Sequence, residues 1–137
     1  DTMKAKLGLT ELNLGIIPGW GGTQRLYQVV GKARALDMIL FSKRLTAREA
    51  LDIGLVNQLS EPEHLMDDAY ELAGRLAERP PLAVQSVLKA ISTGIYEGMD
   101  AGLNMEEKCS KTVSTSKDAI EGFTAFFENR KAVFKGE

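Results

Sequence analysis

The sequence predicts an α/β fold in which helices dominate and the strands are few and short. Apolar residues recur at helical spacing through most of the 137 residues. Capping sequences, glycines and prolines punctuate these segments at the places where helices start and stop. Alternation of polar and apolar residues, as in a half-buried strand, is confined to residues 1–10 and 55–59. We therefore expect a mostly helical chain with two short strands.

Composition narrows the class of protein. The chain is 44% apolar, which suits a domain with a modest core, and its 17 basic and 19 acidic side chains give a net charge of −2. This balance gives no reason to expect a nucleic-acid partner. No apolar run approaches the length that crosses a bilayer, so no membrane association is expected. The lone Cys109 excludes an internal disulfide and fits a reducing compartment, the cytoplasm or the mitochondrial matrix if a leader has been removed.

Two helices are predicted after the first strand. Thr23 can cap a helix that Gly31 ends, and a second helix begins directly after this glycine. The apolar positions expected to face inward are Leu26, Val29 and Val30 in the first helix, and Ala33, Leu36, Ile39 and Leu40 in the second.

A third, short helix is predicted before the second strand. Thr46 and Glu49 have the spacing of a capping box, in which each residue satisfies a free backbone amide of the first turn. Gly54 stands where a left-handed helix end is expected. The predicted strand at residues 55–59 follows.

The next predicted helix ends at the boundary expected between two regions of the chain. Ser60 and Glu63 repeat the capping-box spacing, and the helix is expected to run to about Arg79. Pro80 and Pro81 then stop it. We therefore divide the chain into residues 1–79 and 80–137. The inward stripe expected on this helix is Leu65, Ala69, Leu72, Ala73 and Leu76.

Three helices are predicted beyond the prolines. The first is interrupted or ended by Gly94 and Gly98, the second covers residues 99–113, and the third is capped by Ser116 and runs to about Arg130. The third carries an aromatic face, which is either ordinary core or a surface that packs on another subunit. That face consists of Ile120, Phe123, Phe126 and Phe127.

Residues 11–26 are the most informative stretch for function. Glu11 precedes a short apolar run expected to be buried, and Pro18 and Gly19 then turn the chain into a helix. A carboxylate beside apolar side chains is poorly solvated, which suits proton transfer, and glycine amides ahead of a helix can face a ligand or a water. The alternative is a solvated glutamate beside an ordinary turn. The glycines match neither a dinucleotide fingerprint nor a phosphate-binding loop.

Other candidate residues have simpler interpretations. Cys109 lies in a polar segment without a nearby histidine and reads as an incidental thiol, and His64 reads as a helix-surface residue. One histidine cannot build a histidine-based metal site, so no metal is expected. Trp20 can shape an apolar pocket or pack in the core. Arg130 and Lys131 can form a solvated end or contact a phosphate.

The run from Glu11 to Leu26, Glu-Leu-Asn-Leu-Gly-Ile-Ile-Pro-Gly-Trp-Gly-Gly-Thr-Gln-Arg-Leu, closely resembles the enoyl-CoA hydratase/isomerase family, the crotonases. The resemblance continues through Ala47–Ala50, Gly54–Val56, Pro80–Pro81 and residues 121–131. It corresponds to the later half of a crotonase subunit. The implied fold is the end of the family's ββα spiral, followed by helices that assemble trimers or hexamers.

The resemblance implies a chemistry for particular residues. Crotonases bind acyl-CoA thioesters and stabilise an enolate-like oxygen with two backbone amides, without a metal or redox cofactor. Glu11 matches the second of two glutamates that add water across the C2–C3 double bond, and Gly19 matches a glycine whose amide holds that water. Phe126 matches an aromatic of the acyl-CoA site in a neighbouring subunit. Asn129 replaces a lysine associated with CoA, and Thr10 a proline common before the glutamate.

Three functions follow from this resemblance. The first is part of an enoyl-CoA hydratase that is incomplete without the preceding half, where the family has its oxyanion amides and first glutamate. The second is an enoyl-CoA isomerase or another crotonase reaction, since one fold hosts several chemistries. The third is a non-catalytic assembly module built on the final helices.

Overall fold

A computed structural model describes residues 4–137 of the chain. Within these residues the elements are β1 (Lys6–Leu7), a 3₁₀ helix (Glu11–Leu14), α1 (Gly22–Val30), α2 (Lys32–Leu40), β2 (Leu45–Thr46), α3 (Ala47–Asp52), α4 (Leu65–Ala77), α5 (Pro81–Glu97), α6 (Met99–Ser114) and α7 (Lys117–Phe127). The helix-rich α/β prediction is confirmed. The first strand was predicted within residues 1–10, of which residues 1–3 lie outside the described part.

Internal contacts divide the chain into two compact units, one ending at Ala69 and the other beginning at Tyr70. Each unit is described by itself. The division of the sequence between residues 79 and 80 stays a prediction.

The strands of the first unit form an antiparallel pair. Lys6 lies opposite Thr46, and Leu7 lies opposite Leu45. The strand predicted at residues 55–59 is wrong, because this segment forms bends after α3. A strand requires a partner backbone, and β1 pairs instead with the segment just before α3.

The core of the first unit lies between α1, α2 and the segments around α3. Its buried members are Val30, Ala35 and Met38. Leu26, Leu45, Ile53 and Leu55 pack against them. The predicted inward face of α2 is therefore wrong, since Leu36 and Leu40 are exposed. The helix instead directs Ala35 and Met38, which are three residues apart, toward the core.

The predicted helix ends of the first unit are partly confirmed. Thr46 and Glu49 form the reciprocal capping box at the start of α3, and Gly54 adopts the left-handed conformation at φ +75°. The predicted cap at Thr23 is wrong. Gly21 is the capping residue of α1, because the chain enters this helix through a left-handed turn at φ +80°.

Helix α4 begins later than predicted and is exposed along its apolar stripe. A turn in which His64 N donates to Glu61 O, at 3.0 Å, precedes the first residue, Leu65. The predicted start after Ser60 is therefore wrong, and His64 lies in this turn rather than on the helix. The stripe residues Leu65, Leu72 and Leu76 are all exposed.

Helices α5 and α6 of the second unit pack closely against each other. Gly94 was predicted to interrupt the helix, but α5 continues through it to Glu97. A Cβ on Gly102 would lie 2.7 Å from the Cα atom of Gly94, so the two glycines allow the backbones to approach. Gly98, at φ +97°, joins the two helices.

The carboxyl-terminal tail is fastened to the start of α7. Ser116 Oγ caps this helix by accepting a hydrogen bond from Ala119 N at 3.0 Å, as predicted. The buried Asp118 carboxylate accepts from Lys135 N at 2.7 Å and from Gly136 N at 2.8 Å. Helix α7 ends at Phe127, because the chain turns there and does not continue to Arg130.

Candidate active site

Glu11 is held at the first position of the 3₁₀ helix. Asn13 N donates to Thr10 O at 3.1 Å, and Gly15 N donates to Leu12 O at 3.0 Å, which closes the short helix at both ends. Gly15 takes the left-handed conformation that ends it, at φ +72°. The 3₁₀ helix contacts α2. The backbone of Glu11 is thus fixed within the first unit.

The carboxylate of Glu11 is half-buried. Its Oε2 atom is shielded from solvent and accepts no hydrogen bond from the rest of residues 4–137. A buried polar atom without a partner costs roughly 1–3 kcal/mol, so such atoms are rare unless they serve a function or bind something further. A hydrogen-bond donor for this oxygen would therefore have to come from outside the described residues, as a water, a ligand or another part of the protein.

The apolar run that follows Glu11 is not buried within this chain. Leu14, Ile16 and Ile17 are exposed, so the predicted buried segment is wrong for the described residues. Pro18 is buried, and a Cβ on Gly22 would lie 3.1 Å from its Cβ atom. Pro18 therefore anchors the end of the run against the start of α1.

A tight turn joins Pro18 to α1. The carbonyl of Gly19 accepts a hydrogen bond from Gly22 N at 2.8 Å. The two residues between them, Trp20 at φ +45° and Gly21 at φ +80°, are both left-handed, which is the signature of a type I′ turn. Apart from its two chain neighbours, no described residue has an atom within 4 Å of the place a Cβ on Gly19 would take, so this side of its backbone is open.

Trp20 projects from this turn and is 98% exposed. Left-handed backbone is uncommon for residues other than glycine and is an outlier for a bulky one. Its carbonyl oxygen accepts a hydrogen bond from Arg25 Nη2 at 2.6 Å. The prediction that Trp20 contacts an acyl group stays a prediction, while core packing of its indole is excluded within the described residues.

Phe126 lies on the aromatic face of α7 and is 76% exposed. Its ring meets the ring of Phe127 edge-on, with 5.7 Å between centroids. It also borders an apolar cleft of about 460 Å³ in the second unit. The cleft is lined mainly by apolar residues, among them Pro80, Leu82, Val113, Phe123 and Phe134.

Arg130 and Lys131 are both paired with carboxylates. Arg130 donates to both oxygens of Glu121, at 2.6 and 2.8 Å, and to Glu128 at 2.6 Å. The hydrogen bonds from Arg130 to Glu121, followed by one from Val133 N, lower the pKa of Glu121 from 4.5 to about 2. Lys131 Nζ pairs with Glu78 at 2.8 Å. A phosphate would have to compete with these carboxylates.

The predicted site residues divide between the two units. Glu11, Gly19 and Trp20 belong to the first unit, and Phe126, Arg130 and Lys131 belong to the second. Sequence reasoning missed Arg25, because no pattern reveals a side chain that reaches back five residues to a carbonyl. It also missed Asp118, although an acid just after the capping Ser116 was a usable signal.

Residues 4–137 show neither a metal-binding cluster nor a membrane-spanning helix. No three His, Cys, Asp or Glu side chains there are grouped as a metal site would require. None of the helices in this part of the chain is both long and apolar enough to span a bilayer.

Comparison with known proteins relates this geometry to a family. The family described as enoyl-CoA hydratase/isomerase matches residues 2–137. A solved structure of an enoyl-CoA hydratase from Bacillus anthracis has a TM-score of 0.87 and 42% identity, aligning 98% of this chain with 52% of that one. The short-chain-enoyl-CoA hydratase of Clostridium acetobutylicum is 39% identical over 127 residues, which are 93% of this chain and 49% of that protein. The chain spans about half the length of the curated relatives it matches.

Proposed function

This chain belongs to the enoyl-CoA hydratase/isomerase family, and from that premise we propose that it is the catalytic second half of an enoyl-CoA hydratase. The proposed enzyme adds water across the C2–C3 double bond of 2-enoyl-CoA thioesters. Relatives named as hydratases support the reaction class. An N-terminal half would supply the oxyanion amides and the first glutamate.

The observation that carries the proposal is the carboxylate of Glu11. Its buried Oε2 atom accepts no hydrogen bond from residues 4–137, while the backbone around it is fixed by the 3₁₀ helix. A carboxyl group with one open acceptor in a partly desolvated position is suited to exchange a proton with water or substrate. A merely structural glutamate would be expected to pair that oxygen.

The proposed mechanism divides the work between two residues of this chain. Glu11 carries out one of two proton transfers: the water loses a proton as its oxygen bonds to C3, and the electron pair of the C2–C3 π bond takes up a proton at C2. The first glutamate, in the preceding half, would carry out the other. Gly19 orients the water through its backbone amide, which the open approach to this residue would permit. The proposal requires no metal or redox cofactor.

Substrate binding is assigned to exposed side chains. In this proposal Trp20 contacts the acyl group from the turn, and Phe126 contacts an acyl-CoA ligand of a neighbouring subunit. Arg130 and Lys131 approach the CoA phosphates in exchange for their present carboxylate partners. Phosphate binding at these two residues would require breaking their ion pairs with Glu121, Glu128 and Glu78.

The decisive experiment replaces Glu11 in the full-length enzyme, in which an N-terminal half precedes these residues. Glu11→Gln keeps the shape and removes the charge, so hydration of crotonyl-CoA should fall by about 10² to 10⁴-fold while binding of the CoA ester persists. Glu107→Gln is the matched control, because Glu107 is an exposed residue of α6 paired only on its own helix. Unchanged turnover in Glu11→Gln would refute the assignment.

The same assays separate the alternatives. A full-length enzyme that converts 3-enoyl-CoA to 2-enoyl-CoA, but does not hydrate crotonyl-CoA, would be an isomerase. Turnover by the 137-residue chain alone would contradict the need for a preceding half. A full-length protein that assembles but neither binds nor converts CoA esters would be an assembly module.

We also propose that the enzyme is a homotrimer or a hexamer, working in the cytoplasm or in a mitochondrial matrix. The exposed aromatic face of α7 supports assembly, because contiguous apolar surface of this kind usually contacts a partner. Light scattering of the purified full-length protein tests it. A monomeric mass at micromolar concentration would contradict the assembly.

A further inference from the structure

We propose that Arg25 is a positioning residue for water addition, a role that rests on the proposed hydratase function. Arg25 holds the turn from Gly19 to Gly22 in the one shape that presents the Gly19 amide to the catalytic water. It acts through the backbone of Trp20 rather than on substrate.

The first observation is backbone strain at Trp20 that burial of the side chain does not offset. Trp20 sits at φ +45°, where a bulky side chain is disfavoured, and its 98% exposure means that indole packing cannot stabilise this conformation. Residues in such conformations persist only when their surroundings impose them. The hydrogen bond from Arg25 Nη2 to Trp20 O, at 2.6 Å, is the side-chain contact on this peptide and acts beside the backbone bond from Gly22 N to Gly19 O.

The second observation is that the Arg25 guanidinium also packs against Gly21, the other central residue of the turn. It lies where a side chain at residue 21 would be, since a Cβ built on Gly21 would overlap Arg25 Nη1. The backbone amide of Arg25 also donates to Gly21 O at 2.8 Å. Arg25 therefore hydrogen-bonds both central residues of the turn: its side chain donates to Trp20 O, and its backbone amide donates to Gly21 O.

The third observation is that Arg25 is itself fixed to the core. It stands on α1 beside Leu26, which packs against the buried cluster that contains Val30. Arg25 thus connects the turn to a helix that packs against the buried core of the first unit. Without the guanidinium, Trp20 would relax toward negative φ and rotate the adjoining peptides, which would misplace the proposed water.

The test is a double-mutant cycle in the full-length enzyme. Arg25→Met keeps the aliphatic stem and removes the donors, so kcat for crotonyl-CoA should fall about tenfold or more with KM changed less than about threefold. Trp20→Gly removes the strain, because glycine adopts the left-handed conformation readily. In that background Arg25→Met should lower kcat by less than about threefold.

The outcomes discriminate between explanations. Equal loss of kcat in both backgrounds would overturn the positioning role and indicate a general structural one, as would a fall in melting temperature with unchanged kcat per folded enzyme. Full kcat in Arg25→Met, while Glu11→Gln is inactive, would overturn the inference and leave the hydratase proposal standing. An unsubstituted enzyme without hydration of crotonyl-CoA would instead remove the proposed function on which it rests.

Discussion

Trp20 combines two features that are individually uncommon, a left-handed backbone and a fully displayed aromatic ring. The left-handed conformation costs a residue with a side chain roughly 1–2 kcal/mol. The ring recovers none of this cost through burial within the described residues. Stability alone would favour glycine or asparagine here, so the tryptophan agrees with the acyl contact proposed above.

This strain gives a prediction at the same residue. Trp20→Asn should raise the free energy of unfolding by about 1 kcal/mol, because asparagine tolerates the left-handed region and no packing is lost. Urea denaturation followed by circular dichroism measures it. Phe41→Asn is the control, since Phe41 is also exposed but has an ordinary φ of −102°. A loss of stability in Trp20→Asn would mean that the indole is packed.

Helices α5 and α6 approach each other closely at Gly94 and Gly102. The 2.7 Å available for a Cβ on Gly102 is shorter than any real contact of this kind, and the atom opposing it is backbone. Neither helix can move aside without disturbing the whole pair. Small residues at this crossing are therefore a packing requirement and not a helix break.

The crossing predicts opposite results for two glycine substitutions. Gly102→Ala should lower the free energy of unfolding by about 1–3 kcal/mol, because the added methyl group overpacks the contact. Gly74→Ala on α4 should raise it by up to about 1 kcal/mol, since a Cβ there meets no atom within 4 Å and alanine favours helix. Thermal melts of both variants check this. Equal stabilisation by both would contradict the close approach.

The tail and α7 form a second connected element through two carboxylates. The Asp118 carboxylate accepts hydrogen bonds from two backbone amides of the tail. The Glu121 carboxylate accepts hydrogen bonds from the Arg130 guanidinium and from Val133 N, the latter at 2.9 Å. Arg130 is the larger cause of the lowered pKa of Glu121, and Val133 N is the second. The tail is thus fastened by charge-assisted hydrogen bonds.

The pKa of Glu121 makes this fastening sensitive to acid. Since the folded value is about 2 and the ordinary value is 4.5, its contribution to stability is fully present above pH 4.5 and is lost as the pH falls toward 2. The stability difference between the unsubstituted chain and Glu121→Gln should therefore be constant above pH 4.5 and shrink below it. Urea titrations at several pH values measure that difference. A difference independent of pH would contradict the linkage.

At the scale of the whole molecule, little of the apolar surface is covered by the chain itself. In the described part of the chain the buried hydrophobic residues are few, and none is a large side chain with less than 2% exposure. Meanwhile the aromatic face of α7 and the stripe of α4 remain open among residues 4–137. Such surfaces usually bind other protein, either the rest of a subunit or a second copy.

The assembly proposal predicts the effect of a charge on this face. Phe127→Glu in the full-length protein should shift the mass measured by light scattering from trimer toward monomer, because a carboxylate would be buried at the contact. Tyr96→Glu is the control, since Tyr96 is an equally exposed aromatic at the end of α5. Unchanged mass in Phe127→Glu would place the contact elsewhere.

The sequence predicted local structure better than packing. The capping box at Thr46 and the cap at Ser116 depend on neighbours within three residues, so they could be recognised without a fold. The strand at residues 55–59 and the break at Gly94 failed because each depends on how separate elements pair or pack, which the local sequence does not show. Family resemblance was the main reason for assigning Glu11 and Gly19 to the site. Arg25 could be recognised only from the structure, because its side chain contacts a carbonyl five residues earlier.

The open stripe of α4 has a practical consequence for anyone who produces this polypeptide by itself. Exposed leucines along one face of a helix bind chaperones during synthesis and promote aggregation of newly made chains into inclusion bodies. Co-expression with a covering fragment, rather than a lower growth temperature, addresses that cause directly.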